Sequence, residues 1–126
     1  MHPKKQKYMN QIIQSIKKTL AKKDFDAESL VAQLKELREF IKTNLDEPGF
    51  VRMVRLAYEN IEENGTYTFE YTEGEDPKAN LGYLIDLLAD YNNKYNREEL
   101  MEYRKMMEGE EWVSPEDEWK GEDEDE

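Results

Sequence analysis

Apolar residues recur every three or four positions along five separate segments of this chain, and such a pattern can bury them together only as helices packed side by side. In the first segment Tyr8, Ile12, Ile16 and Leu20 lie in line beside Met9 and Ile13, which predicts a helix over about residues 5–22. A second follows DFDAESL, where Asp26 suits an N-cap and Leu30, Leu34, Leu37, Ile41 and Leu45 form the stripe. The third covers about 49–64, with Phe50, Val54, Ala57 and Ile61 aligned and Asn64-Gly65 reading as a left-handed C-terminal stop. Asp76 followed by Pro77 opens a fourth that turns Leu81, Leu84, Ile85, Leu88 and Tyr91 inward. Asn96 with Glu99 three positions on reads as a capping box for a fifth, which carries Leu100, Tyr103 and Met107.

One stretch breaks the period. In TYTFEYT, residues 66–72, Tyr67, Phe69 and Tyr71 alternate with Thr66, Thr68, Glu70 and Thr72, a spacing of two that belongs to extended chain. Residues 65–75 reach about 36 Å when extended, whereas a helix the length of the third spans about 24 Å. The expectation is therefore an extended crossover that returns the chain to the start of helix 3 and leaves helices 3 and 4 closer to parallel than antiparallel. Its three aromatics face the core, with Phe69 the most buried because it lacks a hydroxyl, and its open edge suits a partner strand or a second copy. The fold class that follows is mainly α, a single bundle of about five helices with one strand-like crossover at about 66–72.

Charge divides the chain more sharply than hydropathy does. The 126 residues carry a formal net charge of −12, yet residues 108–126 hold eleven acidic residues and one lysine, so residues 1–107 retain only −2. Residues 1–23 contain seven lysines and no acid, and Lys4, Lys7, Lys18 and Lys22 fall opposite the apolar stripe of helix 1. These numbers predict a helical domain over 1–107 and an acidic tail over 108–126, too highly charged to fold alone. Trp112 and Trp119, each preceded by two acids, make the tail a candidate docking segment.

The chemistry available is narrow. Without cysteine there is no disulfide, thiolate metal site or thiol nucleophile, and the single histidine, His2, lies at the N-terminus. No stretch approaches the roughly 20 apolar residues of a membrane span or the core of a secretory signal, so a cytoplasmic location is expected. No glycine cluster opens a helix and no Gly-x-Ser-x-Gly occurs; Ser15 and Ser29 sit in helical contexts. The lysine face of helix 1 lacks arginines and exposed aromatics between its lysines, so base readout is not expected of it.

Two resemblances bear on function. Glu59-Asn60-Ile61-Glu62 is similar to the Glu-x-x-Glu helix of all-helical nucleotide pyrophosphatases, which implies Mg²⁺ held by Glu59, Glu62 and Glu63 with Asp86 and Asp90. Those enzymes carry Glu-x-x-Asp on the second helix, whereas Asp86 is followed three positions later by Ala89, and the carboxylates fall on the outer faces of their helices. The order Tyr71, Glu73-Gly74, Asp76, Pro77 and Gly82 is similar to that in the immunity proteins of nuclease colicins, over about twelve residues and with different spacings and no adjacent tyrosine pair. That resemblance implies inhibition of a basic toxin through the 66–76 segment and the start of helix 4.

The residues together favour a small non-enzymatic interaction or regulatory protein, without cofactor or metal, whose acidic tail engages a basic protein or screens its own basic helix. The expected contact residues are Tyr67, Phe69, Tyr71, Trp112 and Trp119, with the lysines of helix 1 as a separate basic face and a homodimer through residues 66–72 as one form of association. An immunity-type inhibitor of a basic toxin or nucleic-acid enzyme is the sharper alternative. A carboxylate and Mg²⁺-dependent nucleotide hydrolase is the enzymatic one.

Overall fold

A computed structural model, which describes residues 2–109 and Trp112, shows five helices among these residues, and four of them begin where a side chain accepts from a free amide of the first turn. They are α1 (Pro3–Leu20), α2 (Ala27–Asn44), α3 (Pro48–Asn64), α4 (Pro77–Ala89) and α5 (Lys94–Glu108). Asp26 accepts from the Ser29 amide at 3.2 Å and Asp76 from the Ala79 amide at 2.8 Å, each satisfying a donor that has no partner within its helix. A hydrogen bond from Lys22, and then the one from Ser29, hold the Asp26 carboxyl at a pKa of about 2. Gly65 ends α3 at φ 75°, where a side chain would be strained.

The fifth helix starts earlier than its capping box predicts. Asn93, not Asn96, is the cap: its side-chain oxygen accepts from the amides of Tyr95 at 2.9 Å and Asn96 at 3.1 Å. Asn96 lies inside the first turn and donates back to the Asp90 carbonyl. One asparagine reaching two free amides outcompetes a box placed three residues later.

The stripes meet as the periodicity requires. Met9, Ile12, Ile13 and Ile16 of α1, Leu30, Leu34, Leu37 and Ile41 of α2, and Leu81, Leu84, Ile85 and Leu88 of α4 are all buried in one core with Met53, Val54, Ala57 and Ile61 of α3. Tyr8 is the exception on α1. It stays 49% exposed, its ring tilted against Phe40 and its hydroxyl donating to Glu36. No described helix is long and apolar enough to cross a membrane.

The direction of α4 overturns the expected crossover. Lys17 pairs with Asp86 at 2.8 Å, Leu20 lies beside Gly82, and the Lys78 ammonium donates to the carbonyls of Lys22 and Lys23, so α4 runs antiparallel to α1. Its far end brings Tyr91 edge-on to Phe50 at 5.7 Å. Helix α4 thus ends, rather than begins, where α3 begins, and the two run in opposite senses. The 65–76 link reverses at Gly65, lies back along α3 where Asn60 binds both the amide and the hydroxyl of Thr68, and turns again at Gly74, φ 88°. It forms no strand; Asn60 and Asn80 side chains satisfy the Thr68 and Thr72 amides that a sheet neighbour would otherwise take.

Within the link the inward and outward alternation holds, but the order of burial does not. Tyr67 is 2% exposed, Phe69 and Tyr71 are half-buried, and Thr68, Glu70 and Thr72 face solvent. Phe69 is therefore not the deepest of the three: the Tyr67 hydroxyl meets the Tyr103 hydroxyl at 2.6 Å, and that bond offsets the cost of burying it. Glu108, expected to open the tail, is the last residue of α5 and its side chain is 1% exposed between Arg52 and Arg104.

Candidate functional site

Three elements converge on one patch: Tyr71 from the link, Tyr83 from α4, and Glu99 with Tyr103 from α5. The Tyr71 ring stacks on Tyr103 at 4.7 Å and 20°, and on its other side packs against Tyr83 at 5.8 Å and 16°. The result is a ladder of three rings, with Tyr103 fully buried at its foot and Tyr83 at the surface. Glu99 closes the outer end. One of its oxygens accepts from the Tyr71 hydroxyl at 2.7 Å and from the Tyr83 hydroxyl at 3.2 Å.

The foot of the ladder is a buried polar chain. Tyr103 donates to the Asn80 carbonyl at 2.9 Å, which leaves its oxygen to accept from Tyr67. Asn80, 1% exposed, uses its own side chain to bind the Thr72 amide at 2.8 Å and the Thr72 and Glu75 carbonyls at 3.3 and 3.1 Å. This clamp fixes the link relative to α4 and so sets where Tyr71 stands.

Burial, and then the negative charges around them, push the Tyr71 and Tyr83 hydroxyls above the ordinary tyrosine pKa, while burial dominates at Tyr67 and Tyr103. A tyrosine kept neutral in the fold contributes stability that is present below its unfolded pKa of about 10 and is lost as pH rises beyond it. Each of Tyr67 and Tyr103 should remove about 1.4 kcal/mol per pH unit above that point. Denaturant titrations between about pH 9 and pH 11.5 should therefore show a steep alkaline loss. Tyr67→Phe should make the slope shallower by about 1.4 kcal/mol per pH unit, the share of one tyrosine; an unchanged slope would show that Tyr67 does not titrate with unfolding.

The remaining predicted residues lie elsewhere. Lys4, Lys7 and Lys18 are exposed on α1 and Lys22 is exposed just beyond its end, but Lys22 is tied to Asp26 at 2.7 Å, and Lys17 beside them to Asp86. Tyr67, expected among the contact residues, is 2% exposed and lies in the core. Trp112 is half-buried under the Lys105 ammonium, 5.5 Å from the ring centre; Trp119 and the charged residues around it lie outside the described residues. Of the carboxylates considered for Mg²⁺, Glu62 pairs with Lys35, Glu59 with Arg55, and Asp86 with Lys17, so these three address different cations rather than one point.

Tyr83, Glu99, Tyr103 and Asn80 were not legible as a site. Glu99 read as a capping-box residue and Tyr103 as ordinary core. The only local hint was the clustering of tyrosines in a chain with eight of them. No family model, no curated protein and no solved structure matches this chain.

Proposed function

We propose that this is a small non-enzymatic interaction or regulatory protein that engages a basic protein partner through the Tyr71, Tyr83 and Glu99 face. The observation that carries the reading is Glu99 itself: a carboxylate that accepts from two tyrosyl hydroxyls and forms no ion pair among the described residues. Such a group retains its charge for a partner's lysine or arginine, and the preorganised rings beside it supply aromatic contact area at little entropic cost. Glu98 beside it, and the exposed Glu73 and Glu75 of the link, are also without an ion pair among the described residues.

The inhibitor form is favoured by one further observation. The exposed Glu73, Glu75 and Asp76 belong to the stretch that resembles the nuclease-colicin immunity proteins, and Tyr71 of the same stretch stands in the ring ladder. A basic toxin or a nucleic-acid enzyme would present the complementary charge. The acidic tail then either strengthens that attraction or screens the α1 lysines.

Replacing Tyr83 with a photo-crosslinking phenylalanine analogue in the native host tests the reading. Expected is one basic protein captured from position 83 and not from position 58 on the α3 face. Equal capture at both positions, or none, removes this face as the contact surface. Binding of a short DNA oligonucleotide with and without residues 110–126 then assigns the tail: tighter binding on removal means it screens α1, unchanged binding means it serves the partner. Mg²⁺ titration followed by residue-resolved NMR addresses the hydrolase alternative, which requires shifts clustered at Glu59, Glu62, Asp86 and Asp90.

A further inference from the structure

Along the other flank of α5, between it and the start of α3, runs a groove of about 620 Å³, half open to solvent. Phe50, Met53 and Leu100 form its apolar floor, all three buried, and Met101, 43% exposed, forms one wall. Five carboxylates rim it: Asp46, Glu47, Glu98, Glu99 and Glu102. Two cations, Arg97 and Arg104, line the groove with them and both are already engaged, and Lys105 pairs with Glu102 at 3.8 Å. Arg97 makes two hydrogen bonds to Glu47, at 3.1 and 3.2 Å, and Arg104 donates to Glu108 at 2.9 Å. Asp46 and Glu98 have no ion pair among the described residues.

From this arrangement we infer that the groove binds a basic amphipathic helix of a partner protein, its apolar residues on the floor and its lysines or arginines on the rim. The inference rests on the reading that a basic protein engages this end of the molecule, and it names the element that would do so. Charge selects the occupant. Residues 110–126, with ten acidic residues and one lysine, carry the same sign as the rim, and so does any polyanion. An uncharged apolar ligand would leave the carboxylates unanswered. A helix with one apolar and one basic face answers both the floor and the rim, with anchors at i and i+3 or i+4. The volume lies within the range of natural binding clefts. Met53 and Met101 suit such a role, because unbranched thioether side chains rearrange around anchors of different shape.

Methyl-resolved NMR of the full chain, with its methionines labelled, provides the test. Two synthetic leucine and lysine peptides of about 15 residues, long enough to fold on binding, are added: one with leucines at helical spacing, one of identical composition with that spacing scrambled. The tail attracts both equally, so it cancels from the comparison. The helical peptide is expected to shift the Met53 and Met101 methyls saturably, with an affinity at least about tenfold above the scrambled one, while the buried Met9 methyl stays in place. Met101→Lys should weaken this binding by about tenfold. Equal responses to the two peptides, silent methyls, or Met53 and Met101 shifts caused merely by removing residues 113–126 would each overturn the proposal. If position 83 crosslinks a basic protein while the methyls remain silent, the groove is wrong and the tyrosine face stands; if neither responds, both readings fall.

Discussion

Tyr67→Ala is expected to lower the folding free energy by about 3 to 5 kcal/mol, the range for emptying a large aromatic site in a core that cannot fully collapse around it. Tyr67 is 2% exposed and its ring holds Phe69 edge-on at 5.7 Å, so truncation removes packing on both sides of the link. It also deprives the Tyr103 hydroxyl of its 2.6 Å partner in a buried setting. Tyr67→Phe keeps the ring and should cost only about 1 kcal/mol, the net worth of one hydrogen bond. Phe69→Ala, at a half-buried position, should fall between the two at about 1 to 2 kcal/mol. Chemical denaturation of the three variants checks the order. A larger loss at Phe69 than at Tyr67 would mean that the link is anchored by its second aromatic, contrary to the hydrogen-bonded arrangement described above.

The second large effect is at the far end of α5. Glu108 places one oxygen 2.7 Å from Arg52 Nε and 2.9 Å from Arg104 Nε, and its other oxygen has no hydrogen-bond partner among the described residues. A buried carboxylate in this position stabilises little relative to an apolar side chain, but its removal alone takes away the acceptor that Arg52 and Arg104 share in a poorly solvated site. Glu108→Ala should therefore cost about 3 to 5 kcal/mol, measured by thermal or denaturant unfolding. Replacing Arg52, Arg104 and Glu108 together with apolar residues of similar length should recover most of that loss. A near-silent Glu108→Ala would show that solvent reaches the pair. The same geometry governs where the tail can be removed. Ending the chain after Gly109 preserves the ion pairs, whereas deleting residues 108–126 deletes the carboxylate that joins α3 to α5.

The face at Tyr71, Tyr83 and Glu99, proposed above as a contact surface, is rigid in the same way. The Tyr83 ring is supported by Tyr71, Tyr71 by Tyr103, and Tyr103 by hydrogen bonds to Tyr67 and the Asn80 carbonyl. A partner meeting this surface orders few side chains on arrival, which is the condition under which aromatic contacts give most affinity per unit area. The groove on the opposite flank of α5 is the softer surface, with methionine walls. The two share Glu99, so charge on one helix serves both.

The amino-acid order by itself determined the five helices, the faces they bury, the caps at Asp26 and Asp76, the left-handed stop at Gly65, and the inward setting of Tyr67, Phe69 and Tyr71. All of these depend on neighbours within about four residues in the chain, where spacing and propensity act directly. Tertiary structure alone decided the rest. The sense of α4 follows from Lys17 meeting Asp86 and Tyr91 meeting Phe50; the precedence of Tyr67 over Phe69 comes from a hydroxyl 36 residues away. Glu108 left the tail for the domain because Arg52, 56 residues earlier, waits for it, and Glu99 became part of a surface when Tyr71 and Tyr83, 28 and 16 residues before it, converged on one oxygen. Hydrogen bonds and ion pairs of that range leave no periodic trace in the sequence, because each requires only one suitable atom at the end of a path through space.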